Sequence, residues 1–293
     1  MELRSLRAFV EVARSGGFTA AAEHLSLTQS TISKLVARLE EELGQALFQR
    51  HRRQAELTDA GRVVLQHAER MLSSASDIEQ ALADLGNLQQ GELRIGIPPL
   101  GPRLFVPQVG AFKRRYPKIE LKLFEDGSHA IMQGLMSGQL ELGGLLAPLD
   151  ETRFEHRMLI DDRLALLAPA KSYWKKRKGV QLEELAEEPF ILFPPAYALN
   201  ERISEACRRA GFAPQVVGRS GQIGFIQEMV RQGLGIALLP GSALDQVDQR
   251  EFCVCTLAPA IPWRIDLAWA RGSFLSAAAR GWLAMLDDSV RAC

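Results

Sequence analysis

The chain has 293 residues, 47% hydrophobic and 24% charged, with Lys plus Arg and Asp plus Glu at 35 each. That composition excludes disordered and collagen-like classes, and the length suffices for two or three compact units. With no apolar run long enough to span a bilayer and no export-signal pattern at the N-terminus, the expectation is a cytoplasmic protein without a membrane partner.

A net charge of zero argues against a uniformly basic nucleic-acid coat, so local clustering is the footprint to look for. Leu6, Phe9, Val10 and Ala13 fall on one face of a first helix, which Gly16 and Gly17 end. Thr19 is placed to cap a second helix, Ala20 to Leu25. Thr28 is placed to cap a third, whose apolar Ile32, Leu35, Val36, Leu39 and Leu43 recur at three and four. The opposite face carries Gln29, Ser30, Ser33, Lys34, Ala37 and Arg38, and from Thr28 to Leu39 the only charges are Lys34 and Arg38. Taken alone, such a face is what any solvated helix presents. Its chemistry also suits duplex DNA. Gln29 sits in the first turn, where an amide can pair bidentately with adenine. Ser33 and Lys34 lie one turn on. Ser30, Thr31 and Arg38 are placed for phosphates, which fix register without reading sequence, and Thr28 completes the candidate DNA-binding set. A basic run, R-H-R-R, follows at 50–53.

The ordered pattern Phe9, Val12-Ala13, Gly17-Phe18-Thr19, Ala21-Ala22, Leu25, Gln29, Ser33, Leu39-Glu40, Leu43-Gly44, Leu47-Phe48, Arg50, Leu57-Thr58 and Ala60-Gly61 resembles the LysR-type transcriptional regulators of bacteria. The resemblance implies a winged helix-turn-helix over 1–58 and a sequence-specific double-stranded DNA partner. It puts Arg50, Arg52 and Arg53 in a wing beside phosphate or the minor groove.

Thr58 and Asp59 open a long helix, taken as a linker over 59–88. Val64, Ala68, Met71, Ala75, Ile78, Leu82 and Leu85 repeat at 4, 3, 4, 3, 4, 3, a heptad seam. Such a seam can pack on the chain's own domain or on a second copy. The coiled-coil dimer is the expectation, and the resemblance extends it to a tetramer, with RNA polymerase as a candidate partner.

From Glu92 short apolar strands alternate with helical stretches, which points to a mostly parallel sheet. The pattern resembles the family's effector domain, a two-lobed α/β unit like a periplasmic binding protein. It would cover 92–293, with one lobe from 92–163 and 265–293 and the other from 164–264. A small effector would then lie between the lobes. Strand C-termini and helix N-termini meet there, and their free N–H groups favour a small anion. The candidate contacts are Pro99, Leu100, Gly101, Ser128, Tyr197, Gln222 and Ile223. Ser128 can equally be a helix cap, and Tyr197 a packed loop aromatic. Pro98 and Pro99 remove two N–H donors from that edge.

Cys207, Cys253, Cys255 and Cys293 lack metal-ligand spacing, which leaves reduced structural thiols as the expectation and a redox switch as the alternative. No nucleophile elbow, phosphate loop, zinc-protease or dinucleotide motif occurs. Neither enzymatic activity nor a cofactor is therefore expected. A solute receptor built on the same two lobes would not need the Gln29 face or the basic wing.

Overall fold

The computed structural model describes residues 1–49, 55–84, 91–99 and 102–291. The chain divides into two compact units, each described by itself.

The N-terminal unit begins with three helices, α1 (Leu3–Ser15), α2 (Phe18–His24) and α3 (Gln29–Leu43). Gly16 and Gly44 end α1 and α3 in the left-handed conformation, at φ 71° and 65°, which glycine adopts without steric cost. The second helix starts earlier than its sequence suggests. Its N-cap is Gly17 and Thr19 lies inside its first turn, because the extended backbone at Gly17 already releases the helix. Thr28 does cap α3, accepting from the Thr31 N–H at 3.2 Å. Ile32, Val36 and Leu39 of α3 are buried with Leu6, Phe9 and Val12 of α1, while Leu43 reaches solvent. Phe48 closes this core from the far side, its ring 5.4 Å from Phe9 and 5.5 Å from Phe18.

The fourth helix, α4 (Asp59–Asp84), packs its first turns on α1. Thr58 anchors it: its hydroxyl donates to the Ala46 carbonyl at 2.7 Å and accepts from the Gly61 N–H at 2.9 Å. The heptad seam divides along this helix. Ala68 is 1% exposed within the domain core and Val64 packs against the same core, so Ala68 faces its own domain and not a second copy. Ala75 is half-buried. Met71, Ile78 and Leu82 stay exposed at 42%, 63% and 64%, and Leu85 lies outside the described residues.

The second unit starts with β1 (Gly91–Ile97), α5 (Pro102–Arg115), β2 (Ile119–Glu125), α6 (Ser128–Ser137) and β3 (Leu142–Leu146). The long strand β4 (Phe154–Pro169) then leads to β5 (Gly179–Gln181), β6 (Pro189–Leu192), α7 (Ala198–Arg209), β7 (Gln215–Arg219) and α8 (Ile223–Arg231). The chain finishes with β8 (Ala237–Pro240), α9 (Gly241–Leu244), β9 (Phe252–Ala258), β10 (Pro262–Ala270) and α10 (Ala277–Arg291). The main sheet runs β2-β1-β3-β10-β4-β9-β5, with β8 also on β4, and β6 pairs β7 separately.

The sheet is mixed rather than mostly parallel. Pairs β1·β2, β1·β3, β5·β9 and β6·β7 are parallel, but β10 lies antiparallel to both β3 and β4, and β4 antiparallel to β8 and β9. The cause is β4, which carries the chain from one lobe to the other as a single strand, with β10 bringing it back alongside. Two cores result. One centres on Leu93, Ile95, Phe112 and Trp282, the other on Leu166, Phe190, Ile203 and Leu238. Leu159, in the middle of β4, packs against both.

Asp266 pins the crossing. It is fully buried on β10, next to a register shift at Ile265/Asp266. Its carboxylate takes a bidentate pair from Arg264, Nε at 2.6 Å and Nη2 at 2.8 Å, and lies 2.7 Å from His156 Nδ1 on β4.

Candidate nucleic-acid interface and effector cleft

The exposed face of α3 holds Gln29, Ser30, Lys34, Ala37 and Arg38, with Thr31 and Ser33 half-buried at its edges. Gln29 Nε2 donates to Ser33 Oγ at 2.9 Å, so the two side chains proposed for base edges are already aligned across one turn. Thr28 Oγ1 lies 3.0 Å from Ser30 Oγ and 2.8 Å from Thr31 Oγ1. Arg38 points to the far end of the helix, where it pairs with Glu2 at 2.8 Å and Glu42 at 3.4 Å. Lys34 has no such acid partner among the described residues and is the free cation of this face.

The base of the wing is visible on both sides. Phe48 and Leu57 form an antiparallel bridge, and the Gln49 N–H donates to Glu56 O at 2.9 Å. Glu40 Oε1 accepts from the Leu47 N–H at 2.6 Å and the Phe48 N–H at 3.3 Å, tying α3 to the wing. That positioning role was not read from the sequence, although Glu40 stood in the matched Leu-Glu pair. Arg50, Arg52 and Arg53 lie outside the described residues. A concavity of about 680 Å³ runs between the start of α2, α3 and the wing base. Thr19 and Gln49 join Ser33 in lining it.

Gly61 sets the close approach of α4 to the wing base. A methyl there would collide with the Leu47 carbonyl oxygen and meet Leu57 Cδ2 at 3.0 Å. Gly61→Ala is expected to destabilise the N-terminal domain by about 1–3 kcal/mol through overpacking. Chemical denaturation of the wild-type and variant domains checks this, and coincident curves would contradict it.

In the second unit, Pro98, Pro99, Ser128 and Tyr197 meet around one small cavity of about 20 Å³, with Leu146, Leu199, Trp263 and Ile265 completing it. That is room for a single water. Ser128 opens α6 and Tyr197 precedes α7, so two helix N-termini face the space. The Tyr197 ring stacks on Phe193 at 5.4 Å and reaches both lobes. A methyl on Gly127 would sit 3.5 Å from its ring and one on Gly221 would sit 2.9 Å from its hydroxyl. Burial pushes the Tyr197 phenol up, and the nearby acids Asp126 and Glu125 push it further. Gln222 and Ile223 begin α8 outside this cavity; Gln222 takes the Ser220 hydroxyl on its N–H at 3.1 Å and Ile223 packs on the lobe core. Leu100 and Gly101 lie outside the described residues.

Asn200 holds the Tyr197 loop. Its Oδ1 accepts from the Phe193 N–H at 3.1 Å, and its Nδ2 donates to the Phe193 and Pro194 carbonyls at 2.8 and 2.6 Å. Cys207, Cys253 and Cys255 are buried free thiols. Burial pushes Cys207 up to about 11, and burial together with Cys253 does the same for Cys255, which makes both poor nucleophiles at neutral pH. Among the described residues no cluster of side chains could hold a metal ion, and no helix is long and apolar enough to cross a membrane.

Comparison with known proteins places these features. Residues 3–62 match the family described as bacterial regulatory helix-turn-helix protein, lysR family, and residues 86–291 match the LysR substrate binding domain. The chain belongs to the LysR family of transcriptional regulators. The uncharacterized HTH-type transcriptional regulator YwbI of Bacillus subtilis is 39% identical over 285 residues, 97% of this chain and 95% of that one. The hydrogen peroxide-inducible genes activator of Dickeya chrysanthemi is 30% identical, over 99% of this chain and 95% of its own. A full-length OxyR variant from Pseudomonas aeruginosa has 28% identity and a TM-score of 0.71, covering 100% of this chain and 95% of that chain. Like other LysR-type regulators, the chain joins a helix-turn-helix DNA-binding domain to a two-lobed α/β effector-binding domain.

Proposed function

We propose that this LysR-type regulator binds a partly palindromic DNA site as a dimer and that a small anion between its lobes sets the response. The proposed limits are 1–58 for the DNA-binding domain, 59–88 for the linker and 92–293 for the effector domain. In this reading the chain performs no catalysis and works in the cytoplasm, where its DNA is. Gln29 and Ser33 read base edges. Thr28, Ser30, Thr31, Lys34 and the wing arginines Arg50, Arg52 and Arg53 hold phosphates, with Arg38 joining them once it leaves its acids. The observation that carries this is the α3 face, where a bonded Gln29–Ser33 pair and a Lys34 with no acid partner among the described residues stand beside an anchored wing base. Binding of the full-length chain to the DNA upstream of its gene, against a scrambled duplex at about 0.15 M salt, tests it. Equal affinity for the two would contradict it.

Met71, Ile78 and Leu82 support the dimer, because a row of exposed apolar residues on one helix is stabilised when a second copy covers it. Leu82→Asp is expected to convert dimers to monomers in sedimentation at micromolar concentration. An unchanged sedimentation coefficient would refute that face. Assembly to a tetramer and contact with RNA polymerase belong to the same proposal.

In the cleft, Pro99, Ser128 and Tyr197 form the proposed contact set, with Leu100 and Gly101 on the same edge and Gln222 and Ile223 at the α8 start reached when the lobes move apart. The cavity has room for only one water in this arrangement, so ligand entry requires the open state, and the ligand acts by its differential affinity for the two. A peroxide response like that named for the Dickeya relative is not favoured. The described cysteines are buried, and two have thiols raised to about 11.

A further inference from the structure

A cavity of about 530 Å³, a volume suited to a small-molecule ligand, lies beside the narrow interlobe space. Leu146 and Ala198 line both. Its walls are α7, the connection after β3 and the connection before β10. Pro148, Leu182, Pro259 and Ile261 give it an apolar side, opposite the charged residues of α7.

Four charged residues face it: Glu201, Arg202, Glu205 and Arg209. Glu205 is held by Arg208 and by Arg209 at 2.8 Å, and Glu201 faces His129 at 3.8 Å. Arg202 is different. Its Nη1 donates to the Pro262 carbonyl at 3.2 Å and its Nη2 donates to the Ala147 carbonyl, both neutral acceptors. Among the described residues no acid lies within ion-pair distance of it. Burial lowers its pKa, the mark of a cation partly stripped of water and left without a counter-ion. A guanidinium has five N–H donors, so two bonds leave three to offer.

We propose that this cavity is a second ligand site, separate from the interlobe contacts, for a compact carboxylate with an apolar body. The carboxylate pairs with Arg202 in the fork geometry that guanidinium favours, and the body lies on Pro148, Leu182 and Ile261. The site bears on regulation through its clip. Arg202 belongs to α7 in one lobe, Ala147 follows β3 in the other, and Pro262 begins the crossing strand. An anion drawing on the same guanidinium changes how firmly α7 is fastened to both connections. Its differential affinity for the two lobe arrangements then shifts their populations.

The probe is cyclohexanecarboxylate, with the neutral cyclohexanecarboxamide beside it, titrated into the full-length protein and followed by methyl NMR. The expected result is shifts at Leu182, Ala206 and Ile261 with the acid, and at least tenfold weaker binding of the amide. Arg202→Gln should weaken the acid at least tenfold, while Arg202→Lys should retain part of the affinity. Ser128→Ala and Tyr197→Phe should leave it unchanged, so a failed interlobe site and a failed Arg202 site are told apart. Equal binding of acid and amide by the wild-type protein, or acid binding lost in Ser128→Ala with Arg202 intact, would overturn the proposal. The wild-type comparison holds even if Arg202→Gln does not fold.

Discussion

Asp266→Ala is expected to lower the stability of the effector-binding domain by about 3 kcal/mol, the low end for removing one partner of a buried ion pair. The low end applies because the groups left behind can reach water: side chains of Arg264 and His156 are partly exposed, whereas Asp266 is fully buried. In a domain of this size that loss corresponds to a melting temperature lower by about 6–12 °C. Asp266 also locks β10 to β4 where the chain passes between lobes, so the variant's cleft should be looser as well as less stable. Thermal unfolding followed by circular dichroism reads the shift. A melting temperature unchanged within about 2 °C would mean that the triad is not holding the crossing.

Gln29→Ala is expected to flatten sequence preference. One bidentate base contact is worth about 1–3 kcal/mol of discrimination, roughly 5- to 150-fold between operator and random DNA. Random DNA should be bound nearly as well as before, because Gln29 carries no charge. Lys34→Ala, by contrast, should weaken both duplexes alike and lower the salt slope by about one. The Gln29–Ser33 hydrogen bond adds to the expected loss, because alanine removes both the amide that reaches the base and the contact that orients Ser33. Competition binding on matched and scrambled duplexes separates the two behaviours, and equal losses on both for Gln29→Ala would count against base reading.

The helices of the N-terminal domain were legible because their apolar spacing, their glycine ends and the Thr28 cap all point the same way. The start of α2 was misread because Thr19 looks like a better cap than Gly17, yet the backbone at Gly17 decides. Only the part of β4 from Leu164 onward has the apolar run that marks a buried strand in the sequence. Its first half, Phe154–Arg163, is rich in charges and half-exposed, since it spans the gap between lobes and has only part of a core to face. The mixed sheet follows from that same strand and could not be read from alternation alone. The heptad seam was visible, but spacing does not show that Ala68 fills the domain's own core. Pro99, Ser128 and Tyr197 could be picked out because helix starts after strands are where clefts form. Leu146, Trp263 and Ile265 beside them look like any core residue. The pairing of His156 with Asp266 joins distant segments, and no local pattern announces it.

In the proposed complex, α3 of each copy in a dimer reads DNA from the Gln29 face. Selection of duplexes from a random pool by the full-length chain, at about 0.15 M salt, tests it most directly. The predicted product is an inverted repeat with half-site centres about 10 base pairs apart, in which Gln29→Ala relaxes one position per half-site. A pool that shows no enriched sequence, or the same enriched sequence with Gln29→Ala as with the wild type, would contradict it.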